Sequence, residues 1–199
     1  MRAGHLASML LLLLSVPSTV SAGPITTIDF ETLADLEPVI SQYPGLTFSR
    51  ALALQAGVSL NEVEFPPMSG TVVVIDDGGP LGIVFGSPVA SVAGFFTYLV
   101  PLTMMAYDAS GSPLGAVVSS FASNSALSGD PGSHPNELLA LSFPGIASVA
   151  ITGDPAGGSF TLDDLEYVGA GGAAVPEPAT LSLVALAAAG LALRRRPLR

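Results

Sequence analysis

Ser148-Val149-Ala150-Ile151-Thr152 alternates branched apolar residues with small or hydroxylated ones, the period of two that marks a half-buried β-strand. Thr71-Val72-Val73-Val74-Ile75 is strand-forming through its β-branched run. Working outward from these two stretches, strands are predicted near 25–30, 46–54, 71–75, 81–86, 89–98, 102–107, 114–121, 137–143, 147–152 and 159–168. Turn residues separate them. Asp76-Asp77-Gly78-Gly79-Pro80, Asp108-Ala109-Ser110-Gly111-Ser112-Pro113 and Gly153 to Gly158 supply the positive-φ and Asx-type positions that hairpins require. One short helix is predicted between Thr32 and Ile40, where Leu33, Leu36 and Ile40 recur at three and four, and Pro38 limits it to a turn or two. Residues 122–136, rich in Ser, Asn, Gly and Pro, are the longest loop and the expected mobile surface. So many short strands overfill one flat sheet. The predicted fold is all-β, an antiparallel β-sandwich of jelly-roll type.

Charge narrows the function. Between Gly23 and Leu193 fifteen Asp and Glu precede the tail and Arg50 is the only basic residue, so that stretch carries −14 before Glu177 is counted. Nucleic acid is excluded, because its binding draws on Lys and Arg neutralising phosphates. Divalent cations are favoured; for most of these acids the plainer reading is a solvated surface that keeps the protein soluble. The sequence has no cysteine, so stability must come from a packed core or a bound ion. His134 is the only histidine after His5. That excludes a His-built zinc site, and His134 with Glu137 is not a zincin motif. No G-x-S-x-G, P-loop or dinucleotide fingerprint is present. A carboxylate pair of glycosidase type stays open, since sequence does not give the separation of the acids. Lectin-like stacking lacks tryptophan and would fall to Tyr43, Tyr98, Tyr107 or Tyr167, of which Tyr98 and Tyr107 lie in predicted core strands.

The two ends are addresses. Arg2 and His5, the apolar run Leu6 to Leu14 and Val20-Ser21-Ala22 before Gly23 read as a secretory signal peptide over residues 1–22. The ectodomain is then 23–168, and 169–174 is a Gly/Ala linker. Val175-Pro176-Glu177-Pro178-Ala179-Thr180 is helix-averse. An uncharged apolar run follows, closed by Arg194-Arg195-Arg196. A transmembrane helix over about 179–193 would reach roughly 22 Å, which snorkelling arginines and local thinning reconcile with a core of about 30 Å. The arginines place its C-terminal end in the cytoplasm and the domain on the far side.

Residues 175–199 resemble the PEP-CTERM sorting signal of Gram-negative bacteria, in the order Pro176-Glu177-Pro178, apolar helix, Arg194 to Arg196. The resemblance implies recognition by an exosortase, a membrane-embedded cysteine protease, and passage from the inner membrane to the envelope or the extracellular matrix of an exopolysaccharide producer. Two stretches of the domain, Ile28-Asp29-Phe30-Glu31 with Tyr43-Pro44-Gly45-Leu46-Thr47-Phe48, and Phe160-Thr161-Leu162-Asp163-Asp164-Leu165, resemble galactose-binding-type jelly rolls. That likeness implies adjacent first and last strands, often around a structural calcium. The alternation slips at Asp163-Asp164, as it does at a β-bulge. Asp29, Glu31, Asp163 and Asp164 are therefore the candidate calcium ligands; the alternative is that Asp163 and Asp164 cap a twisted edge strand in water. The expected function is a non-enzymatic surface or matrix protein associated with exopolysaccharide, with a carbohydrate-binding module as the alternative and a glycan-active hydrolase third.

Overall fold

The structure is a computed structural model and describes residues 23–170. The predicted signal peptide 1–22, the sorting signal with Pro176, Glu177, Pro178 and Arg194 to Arg196, and the predicted transmembrane helix 179–193 lie outside the described residues. Among the described residues no helix is long and apolar enough to cross a membrane.

Nine antiparallel strands form the described region: β1 Ile25–Ile28, β2 Leu46–Ser49, β3 Ala51–Gln55, β4 Val72–Asp76, β5 Leu81–Tyr98, β6 Thr103–Tyr107, β7 Pro113–Val118, β8 Glu137–Thr152 and β9 Phe160–Gly169. Their order is β3-β4-β9-β5-β8-β6-β7, with β1 on β9 and β2 on β5. β5 and β8 are long enough to serve two halves. The N-terminal part of β5 pairs with β2 and with the C-terminal part of β8, which continues into β6 and β7. The C-terminal part of β5 lies between β9 and the N-terminal part of β8, and β9 leads on to β4 and β3. Between the two parts the register shifts from Val84↔Ser148 through Val89↔Ile146 to Ser91↔Ser142. Bulged residues turn the sheet over on itself there, giving it sandwich character. Leu81, Ile83, Phe96, Met104, Val149, Ile151, Phe160 and Leu162 form the core between the halves.

Several expected elements differ. The predicted pairs 81–86 with 89–98 and 137–143 with 147–152 are each one strand, because Gly86-Ser87-Pro88 and Pro144-Gly145 occupy bulges, where proline and glycine are tolerated. The predicted strand 46–54 is two. Arg50 adopts φ +53 between them, and the chain leaves β5 to join β4. The predicted helix over 32–40 is absent: Leu36 sits at φ +60, and Leu36 and Val39 donate their N–H groups to Ala53 and Ala51 along β3. Only Asp108 to Ser112 closes a hairpin, between β6 and β7, with the Asp108 carboxylate accepting from the N–H groups of Ser110 (2.8 Å) and Ser112 (2.9 Å). The other two turns, 77–80 and 153–159, join strands that do not pair with each other.

Candidate functional site

β9 carries the predicted slip. Phe95 pairs with Asp163 and Ala93 with Glu166, so Asp164 and Leu165 face Gly94 alone, and Asp164 adopts φ +43. On its other edge β9 pairs with β4 through Thr161 and Leu162 and with β1 from Leu165 onward. First and last strands are therefore adjacent, and the bulge sits where one edge partner gives way to the next.

The four candidate ligands do not converge on an ion. Asp163 is buried, and its Oδ2 accepts from the N–H groups of Met68 (2.7 Å) and Ser69 (3.1 Å) while Oδ1 accepts from that of Asp164 (2.8 Å). Asp164 Oδ1 accepts from the Ser69 hydroxyl at 2.8 Å. Glu31 Oε1 accepts from the N–H groups of Thr71 (2.8 Å) and Val72 (2.7 Å), and Oε2 from the Thr71 hydroxyl. Asp29 is exposed and accepts only from the N–H of Glu31, at 3.3 Å. Three of the carboxylates thus clamp residues 68–72, and the donors aimed at their oxygens are the opposite of what a cation needs. No group of three or more His, Cys, Asp or Glu among the described residues is arranged to hold a metal. The calcium expectation for Asp29, Glu31, Asp163 and Asp164 is overturned. Burial and the neighbouring Asp164 charge push the Asp163 carboxyl up to about 6, against the lowering effect of its backbone donors.

The clamp fastens a strap. Residues 56–71 cross the outer face of β3, β4 and β9, where Leu60 and Phe65 line an open pocket of about 140 Å³ with Leu54, Ile75 and Thr161. Asp35 secures the other end, accepting from Gln55 N–H (2.8 Å) and the Ser59 hydroxyl (2.7 Å). Residues 119–136 cover the adjoining part of that face. Asn124, fully buried, accepts from Tyr98 N–H at 2.7 Å and donates to the carbonyls of Phe96 (2.9 Å) and His134 (3.0 Å). Asp130 accepts from Ala122 N–H at 2.9 Å. The loop expected to be mobile is pinned to β5 through Ser123, Asn124 and Asn136. Tyr98 donates its phenol to Glu137, and burial together with that bond pushes its pKa up to about 12.

Two features of this network were missed in the sequence. Asp76 is fully buried at the end of β4 and accepts from Ser159 N–H (2.9 Å), the Ser159 hydroxyl (3.1 Å) and Phe160 N–H (3.3 Å), which holds the two non-hairpin turns together. Burial, its largest influence, pushes its carboxyl upward. Its signal was available: Asp76 shares the inward phase of Val72 and Val74, and an acid on a core-facing phase demands internal donors. Asn124 had no comparable signal.

An open apolar groove of about 430 Å³ lies among Gly45, Phe85–Val89, Tyr167, Gly169 and Ala170, with Tyr167 tilted on Phe85 at 5.6 Å between ring centres. His134 is exposed, and its carbonyl is engaged by Asn124. No nucleophile, base and orienting group come together among the side-chain hydrogen bonds described above.

Residues 174–196 match the PEP-CTERM protein-sorting motif; the sorting motif is present. Among curated proteins none matches the chain. Solved structures with a similar backbone include the K1 cleaved adhesin domain of Lys-gingipain from Porphyromonas gingivalis, at 11% identity and TM-score 0.42 over 73% of this chain and 98% of that one. A DUF4465 family protein from Bacteroides caccae is similar at 10% identity and TM-score 0.39, covering 79% and 90%. TmCBM61, solved in complex with β-1,4-galactotriose, is similar at 12% identity and TM-score 0.33, covering 71% and 90%. At these identities and scores the likeness carries no functional assignment.

Proposed function

We propose that the chain is an exported, non-catalytic surface protein that an exosortase system sorts to the cell envelope or matrix, and whose domain, about 23–168, is a jelly-roll-type module that binds extracellular polysaccharide. The motif match over residues 174–196 carries the sorting part of this reading. In it the signal peptide 1–22 starts export, the helix at about 179–193 halts in the inner membrane with Arg194 to Arg196 on the cytoplasmic side, and Pro176-Glu177-Pro178 is what the exosortase recognises. The non-catalytic part is supported by the carboxylates themselves: the oxygens of Asp163, Glu31 and Asp76 are engaged by backbone donors that fix loops. A binding role is favoured over a purely structural one because, among the described residues, one broad sheet surface is clear of loops and of charge.

The test is fractionation of producing cells. With Pro176, Glu177 and Pro178 all changed to alanine, full-length precursor should accumulate in the inner membrane while wild type reaches the exterior. Equal amounts of mature protein outside for both would overturn the sorting reading.

A further inference from the structure

The two outer faces of the sheet are unlike. The face of β3, β4 and β9 lies beneath residues 56–71 and 119–136, so that outward-facing Val73, Thr97, Thr161 and Asp163 are all buried. Among the described residues, no segment covers the outer face of β2, the N-terminal part of β5, the C-terminal part of β8, β6 and β7. Register places Val84, Ser148 and Tyr107 in one row across it and Gly82, Ala150 and Met105 in the next. Their in-chain neighbours Ile83, Val149, Ala106 and Met104 are the buried ones. Every outward position on these strands is uncharged, in a region with fifteen acids and one arginine. The charges near this face, Arg50, Asp77, Asp108 and Asp154, sit in the turns at the strand ends. Val84 and Val118 are 52% and 59% exposed on it.

The chemistry of the face specifies its occupant. Hydroxyls from Thr47, Ser49, Thr103, Ser148 and Thr152 offer both donors and acceptors, and Met105, Val84 and the Tyr107 ring offer apolar contact. There is no cation on it to pair with a carboxylate, sulfate or phosphate, and the acidic remainder of the domain repels polyanions. Five strands about 4.8 Å apart carry two outward rows about 6.8 Å apart and β8, β6 and β7 a third, so the face spans at most roughly 24 by 20 Å. That is roughly 500 Å², well short of the about 800 Å² per partner of a stable protein interface. A second copy is therefore a poor fit, and an extended uncharged polymer is a good one. Resting on the reading of the domain as a binding module, we propose that this bare sheet face is the docking surface for a neutral polysaccharide chain.

The test is retardation of the full chain, in mild detergent, in native gels containing dextran, galactan or alginate. Wild type should be retarded by at least one neutral polymer and not by alginate. Ala150→Asp at the centre of the face should weaken that binding at least about tenfold, and Val118→Asp at its exposed edge several-fold. Thr27→Asp on β1 should leave it unchanged. Thermal melts identify any variant that fails to fold, in which case the remaining face variant decides. Binding that survives both face variants would overturn this surface while leaving a binding module elsewhere. No retardation by any polymer would overturn the module reading and this proposal with it. Retardation by alginate alone, or a concentration-dependent doubling of mass lost in Ala150→Asp, would replace the neutral polysaccharide with a polyanion or a second copy.

Discussion

Asp163→Asn separates the buried carboxylate's charge from its shape. In the folded protein the Asp163 carboxyl is pushed up to about 6 from its ordinary 3.8, which corresponds to about 3 kcal/mol of preference for the neutral form. Solvent at the rim of the clamp screens this to about 1–2 kcal/mol. The folded state binds the proton more tightly than the unfolded chain, so this contribution to stability is fully present below about 3.8 and is lost as the pH rises through about 6. Asp76, also pushed upward by burial, acts in the same direction. Glu37, Glu62 and Asp108 act oppositely: hydrogen bonds hold their carboxyls below the usual range, and their contribution is lost only under more acidic conditions. The protein should therefore be more stable at pH 4.5 than at pH 7.5, by about 1–2 kcal/mol or about 3–6 °C in melting temperature. In Asp163→Asn most of that rise should vanish, whatever the variant's stability at neutral pH, because asparagine does not titrate. Its amide nitrogen must also face a donor, the N–H of Asp164 or those of Met68 and Ser69, so neutral-pH stability should not improve. The assay is denaturant unfolding of both proteins across pH 4–8 at constant ionic strength. Wild-type stability that falls steadily from pH 7.5 to 4.5, or an unchanged pH slope in the variant, would refute the reasoning.

Other substitutions follow from the same contacts. Asn124→Ala leaves the N–H of Tyr98 and the carbonyls of Phe96 and His134 without partners in a buried site; it should cost about 3 kcal/mol or more, read as a fall of about 8–12 °C in melting temperature. Gly157→Ala and Gly111→Ala both place alanine at positive φ, but the added Cβ meets the backbone of Gly78 in the first and open space in the second. Denaturant midpoints should show about 1 kcal/mol lost at Gly111 and clearly more at Gly157. Deleting Arg194 to Arg196 should loosen the orientation of the predicted helix, read by protease accessibility of the C-terminus in spheroplasts.

Much of the all-β fold was legible because alternation at a period of two is local. Ser148 to Thr152 and Val72 to Ile75 fall in strands, and the slip at Asp163-Asp164 is a bulge. The continuity of β5 and β8 was hidden, since Gly86-Ser87-Pro88 and Pro144-Gly145 read as breaks until the partner strands show them to be corners. Arg50 concealed the opposite case, a strand interrupted by one positive φ with no glycine to announce it. The sorting motif was legible because it is contiguous. The duty of Asp163 was not, because its donors Met68 and Ser69 lie 95 and 94 residues away in sequence, and a carboxylate facing backbone N–H groups looks the same in sequence as one facing calcium.

The central claim is that Asp163, Glu31 and Asp76 are internal acceptors that fasten loops rather than ligands of a cation. Backbone hydrogen exchange tests it most directly, read at Met68, Ser69, Thr71, Val72, Ser159 and Phe160 in chelator and again with added calcium. The prediction is slowed exchange at all six amides in chelator, unchanged by calcium, with Met68 and Ser69 selectively released in Asp163→Asn. Free exchange at Met68 to Val72 in chelator, becoming slow only when calcium is added, would contradict it.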